Sequence, residues 1–99
     1  METDSMTDLL KMKDIDLSTV KVNKILVDLG LLEEKERPSK KYAGKMKKFK
    51  VLSEEGLVYG VNLENTNSPG QSTPHYFIDM FDQLMALVGT WIKVNEKNR

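Results

Sequence analysis

The stretch Ser18-Thr19-Val20-Lys21-Val22-Asn23-Lys24-Ile25-Leu26-Val27-Asp28-Leu29-Gly30-Leu31 decides the fold. Val22, Ile25, Leu26 and Leu29 stand at i, i+3, i+4 and i+7, which puts them on one apolar helical face. Ser18 has the hydroxyl of an N-cap, and Gly30 stands where a left-handed C-cap favours glycine. Leu31 and Leu32 then tuck back. The outward face is Thr19, Lys21, Asn23, Lys24, Val27 and Asp28, with Val20 able to face either way. Upstream, Thr7 to Met12 reads as a short helix. Thr7 is its cap, Asp8 lies in its first turn, and Leu9, Leu10 and Met12 supply apolar contacts. A turn at Lys13–Leu17, anchored by Ile15 and Leu17, separates the two helices.

Downstream, Glu33 to Gly44 is polar, with Pro38 and Gly44 as breakers, and reads as a loop or the first part of a hairpin. Lys47 to Leu52 alternates, with Phe49 and Val51 on one side and Lys48, Lys50 and Leu52 on the other, which predicts a strand. Ser53 caps one or two turns that Gly60 ends. Val61 to Glu64, the turn cluster Asn65–Ser72 and an extended piece around Tyr76 predict a β-hairpin. Asp79 to about Lys93 is an amphipathic helix on Met80, Phe81, Leu84, Leu87, Val88, Trp91 and Ile92. Residues 1–6 are expected to be a flexible leader, 7–94 a single domain and 95–99 a frayed tail.

The chain has 99 residues, enough for one core. No apolar run is long enough to span a membrane, and Met1 to Asp8 holds three acids and no base, unlike a signal peptide. There is no cysteine, so disulfides and thiolate metal sites are excluded and a reducing cytoplasm is the default expectation. Fifteen basic and fifteen acidic residues cancel, yet the charge is segmented. Arg37 to Lys50 holds seven bases and no acid, whereas Val51 to Arg99 holds six acids and three bases. A segment of this kind can bind phosphate while the whole chain stays neutral.

Two short helices joined by a turn, a basic strand, a hairpin and a closing helix give an α+β chain with the element order of a winged helix-turn-helix variant. In such a fold the helix from Ser18 enters the major groove of double-stranded DNA. Asn23 can pair bidentately with adenine, Lys21 and Lys24 can reach guanine or phosphate, and Thr19 can touch a thymine methyl or a phosphate. Ser18 opens an acid-free helix start whose N–H groups can face a phosphate. Lys40, Lys41, Lys45, Lys47, Lys48 and Lys50 are the expected phosphate contacts.

A resemblance supports this reading. The Ser18–Leu31 run looks like the helix-turn-helix half of small domains of phage antirepressors and related phage regulators. Val51-Leu52-Ser53-Glu54-Glu55-Gly56-Leu57-Val58-Tyr59-Gly60 is similar to their acidic turn, and Ser68-Pro69-Gly70-Gln71-Ser72-Thr73-Pro74 through Phe81 resembles the hairpin before their closing helix. The resemblance implies a phage- or prophage-type DNA-binding regulator. The alternative is a protein-interaction module on the same fold, using the acidic edge at Glu33, Glu34 and Glu36 to bind a host or phage protein.

Plainer explanations cover the remaining residues. His75 has no second histidine or cysteine to complete a metal site. Glu54/Glu55 and Asp79/Asp82 fit helix starts better than acid–base chemistry. Gly70-Gln71-Ser72-Thr73 lacks the Gly-Lys pair of a phosphate loop. No enzyme activity, cofactor or metal is expected. A face of the last helix left uncovered by the core would serve a homodimer.

Overall fold

Ser5 starts the first helix, two residues before the expected cap. Its hydroxyl accepts from the Asp8 N–H at 3.2 Å. In the computed structural model, which describes residues 2–39, 43–64 and 71–96, the elements are β1 (Thr3–Asp4), α1 (Met6–Met12), α2 (Thr19–Asp28), β2 (Leu32–Pro38), β3 (Met46–Leu52), β4 (Gly60–Glu64), β5 (Ser72–Phe77) and α3 (Phe81–Asn95). One-turn 3-10 segments at Glu55–Val58 and Ile78–Met80 precede β4 and α3. The described residues form a compact α+β fold of three helices and two small antiparallel sheets.

The sheets are β1-β5-β4 and β2-β3. Residues 3 and 4, expected in a flexible leader, pair with Phe77 and Tyr76 of β5, and Met6 is buried. The leader reading therefore extends too far; an apolar side chain that can be buried draws the segment onto the sheet edge. Of the expected tail, Asn95 ends α3 and Lys97 to Arg99 lie outside the described residues. So do Lys40, Lys41 and the turn cluster from Asn65 to Gly70.

The core joins all the layers. Leu9 and Leu10 of α1, Val22, Ile25 and Leu26 of α2, Leu32 of β2, Leu52 of β3, Tyr76 of β5 and Phe81, Leu84 and Val88 of α3 form one cluster. Fully burying each aliphatic side chain contributes about 1.5–3 kcal/mol. The predicted apolar face of α2 is thus the buried one, apart from Leu29, which is exposed and serves as C-cap. Gly30 follows at φ +79, in the left-handed region that Gly adopts readily.

The segment after Gly30 differs from the loop alternative: Leu32–Pro38 is a full strand, in register with β3 from Leu32↔Leu52 to Pro38↔Met46. Ser53 ties this hairpin to α2. Its N–H donates to Leu31 O at 3.0 Å, its hydroxyl donates to Gly30 O at 2.5 Å and accepts from the Gly56 N–H at 3.2 Å. Asn62 links the two sheets, accepting from Leu52 N–H at 2.8 Å and donating to Leu52 O at 3.2 Å. One side-chain amide thereby replaces a missing neighbour strand.

Candidate nucleic-acid interface

Alternation in the β2–β3 hairpin determines what each lysine faces. Leu32 and Leu52 point into the core, so Glu34, Glu36, Lys48 and Lys50 share their side of the sheet. Lys50 accordingly lines a groove of about 370 Å³ with Val20, Asn23, Lys24, Val27 and Asp28 of α2. Lys50 is the hairpin residue that reaches this groove on the outward face of α2. Glu33, Lys35, Arg37, Lys47, Phe49 and Val51 lie on the other side.

The two sides differ in charge. On the groove side the register sets Glu34 opposite Lys50 and Glu36 opposite Lys48. Glu34 pairs with Lys50 at 3.5 Å and with Lys48 at 3.8 Å. These pairs are exposed and contribute little stability, but they neutralise the wall. Lys48 and Lys50, expected on phosphates, are therefore already matched by a carboxylate. Lys45 and Lys47 are exposed and have no ion pair among the described residues.

On α2, Lys24 is exposed at the groove and Asn23 is half-buried in it. Lys21 points elsewhere: its Nζ meets Glu96 Oε1 at 3.2 Å, tying α2 to the end of α3. The Ser18 hydroxyl caps the helix by accepting from the Lys21 N–H at 3.1 Å. Thr19 Oγ1 lies 2.8 Å from Thr7 Oγ1 of α1. Asn23 and Lys24 line a groove with Lys50, and Thr19 lines a second one with Asn23, Lys48 and Lys50, while Ser18 caps α2 and Lys21 ties it to α3. Val20, whose direction the pattern leaves open, is 81% exposed.

A second groove, about 330 Å³, opens where the starts of α1 and α2 approach β3 and β5, with Thr19, Asn23, Lys48 and Lys50 on its walls. Tyr76 also lines it; the side chain is buried and its hydroxyl has no hydrogen-bond partner among the described residues. Burial pushes this phenol well above the usual tyrosine range, because the anion would be desolvated. Among the described residues no group of three His, Cys, Asp or Glu side chains is placed to hold a metal ion. No described helix is long and apolar enough to cross a membrane.

Sequence reasoning missed Glu96 and Lys35, and placed Glu34 on an acidic edge without its lysine partners. Glu34 was legible as a lysine partner only once β2 was recognised as a strand. Glu96 lies 75 residues from Lys21, with no local pattern joining them. No family model matches this chain, and neither a curated protein nor a solved structure is found similar to it.

Proposed function

We propose that this chain is a small DNA-binding regulator of winged helix-turn-helix type. The observation that carries the reading is the placement of the β2–β3 hairpin directly after α2, with Lys50 of β3 reaching the groove on the exposed face of that helix. In this reading α2 enters the major groove, Asn23 and Lys24 meet base edges, and the hairpin is the wing. The wing is thus the first hairpin, with the lysine-rich strand, and β4–β5 is the scaffold behind it. The resemblance to phage antirepressor modules supplies a phage or prophage setting and a cytoplasmic location. A homodimer through α3 would cover Leu87 and Val94, which are exposed there.

The test is a fluorescence-anisotropy titration of duplex DNA at about 50 and 200 mM salt. Binding should weaken by orders of magnitude at the higher salt if the contacts are to phosphate. On a selected site, Asn23→Ala should cost about 1–3 kcal/mol of discrimination at one base pair. Lys24→Ala should likewise relax discrimination at the base pair it meets. No binding by the wild-type chain at the lower salt overturns the reading.

Val20, Val27 and Asp28 on the same wall favour a second reading, a groove that docks a host or phage protein. A stoichiometric protein partner that competes with no DNA, and whose binding Val20→Asp abolishes, would establish it.

A further inference from the structure

The hairpin obeys the rules of cross-strand charge on one side and breaks them on the other. On the side facing α2, both charged positions are matched across the ladder, Glu34 with Lys50 and Glu36 with Lys48. On the outer side Arg37 stands directly opposite Lys47, and Lys35 is diagonal to Lys47. Like charges facing one another across an antiparallel pair are destabilising. Local conflicts of this kind mark sites selected for something other than stability.

The conflict is not relieved by neighbouring acids. Lys35 and Lys47 are exposed and have no ion pair among the described residues. Arg37 spends Nε on Gln71 Oε1 at 2.9 Å and one Nη on Pro38 O at 3.2 Å. Both acceptors are uncharged, so they orient the guanidinium without neutralising it. Glu33 is the one acid on this side of the ladder, at the end nearest the core and opposite Val51. Exposed Lys45 extends the strip toward the hairpin end.

We infer that the outer face of the β2–β3 hairpin, on Lys35, Arg37 and Lys47, is the phosphate-binding surface, and that Lys48 and Lys50 are structural partners of Glu34. The ligand is the sugar–phosphate backbone of duplex DNA. This inference rests on the DNA reading above and revises which lysines serve it. A duplex seated on α2 meets a neutral inner wall; its backbone has to pass across the hairpin to reach uncompensated charge. The hairpin is then a blade between two backbone segments.

The experiment compares four variants by anisotropy with a duplex of about 20 base pairs. Lys35→Ala with Lys47→Ala should lower the log–log salt slope by about 1.8, two phosphate contacts, making the drop between about 50 and 200 mM salt some tenfold smaller. Lys48→Ala with Lys50→Ala should leave the slope unchanged. The inference is overturned if the inner pair lowers the slope and the outer pair does not. It is equally overturned if Glu34→Gln, which frees the inner lysines, tightens binding. Lys47→Glu supplies a readout that a merely structural role would not move: opposite Arg37 it should raise the melting temperature while abolishing binding.

Elution from immobilised heparin separates the two failures. If the wild-type chain binds no duplex but the outer double variant leaves heparin at lower salt, the DNA reading falls and the outer strip stands as a polyanion surface. If heparin retention is the same for wild type and outer variant, the strip itself is overturned.

Discussion

The two hairpins sit side by side in one small fold and are held by different means. In β4–β5 the chains approach so closely that Gly60, opposite Tyr76, has no room for a Cβ: one built there would lie 2.1 Å from His75 O. In β2–β3 the half nearest the core is fixed by Leu32 and Leu52, and the outer half is a ladder of charged side chains in solvent. Close backbone approach makes β4–β5 intolerant of change. Weak exposed pairs make the outer half of β2–β3 tolerant, which is where a binding surface can vary without loss of the fold. The tight backbone approach at Gly60 lies in one hairpin and the uncompensated charge in the other.

The strongest test places the same substitution in both. Gly60→Ala drives a methyl into the neighbouring strand's backbone and should cost about 3 kcal/mol or prevent folding. Gly44, in the connection between β2 and β3, has φ +79 and open space around it, so Gly44→Ala should cost only about 1 kcal/mol, from backbone strain. Urea denaturation of the two variants checks this. Equal losses would remove the distinction between the hairpins.

Asn62 is where the two regions are joined. Asn62→Ala strips both partners from the Leu52 peptide, a buried residue, and should destabilise by about 2 kcal/mol. Glu34→Ala, which removes the ion pairs with Lys48 and Lys50 on the inner side of the hairpin, should stay within about 0.5 kcal/mol. A loss of more than about 1 kcal/mol for Glu34→Ala would mean the charged ladder supports the fold after all.

The same physical division explains what was legible in the sequence. Val22, Ile25 and Leu26 repeat at helical spacing because one side of α2 is dry, and the Ser18 and Gly30 boundaries follow from backbone groups that need a cap and a left-handed turn. The faces of β3 were readable from Phe49, Val51 and Leu52 because its inner end is buried. From Glu33 to Pro38, β2 has solvent near both faces, so there is no alternation to detect, and the strand read as a possible loop. The basic run stood out as a count of charges. Its division into a matched side and an unmatched side depends on register, which only the paired strand supplies.

The expected effect changes sign at Tyr76, the residue facing Gly60. Its hydroxyl is buried without a partner among the described residues, so Tyr76→Phe should leave stability at neutral pH unchanged or raise it by about 1 kcal/mol. The pH dependence isolates the cause. Burial raises the folded-state pKa of this phenol above the usual value near 10. Below about pH 10 the group is neutral in both folded and unfolded chains and contributes nothing to the slope. Above it the unfolded chain releases the proton first, so native stability falls as pH rises through the window between the two values. Melting curves between about pH 8 and 11 should therefore fall less steeply for Tyr76→Phe than for the wild type, because the variant has no phenol there to ionise. Parallel curves would mean that the hydroxyl is solvated in the native state. A loss at neutral pH would mean that it has a partner.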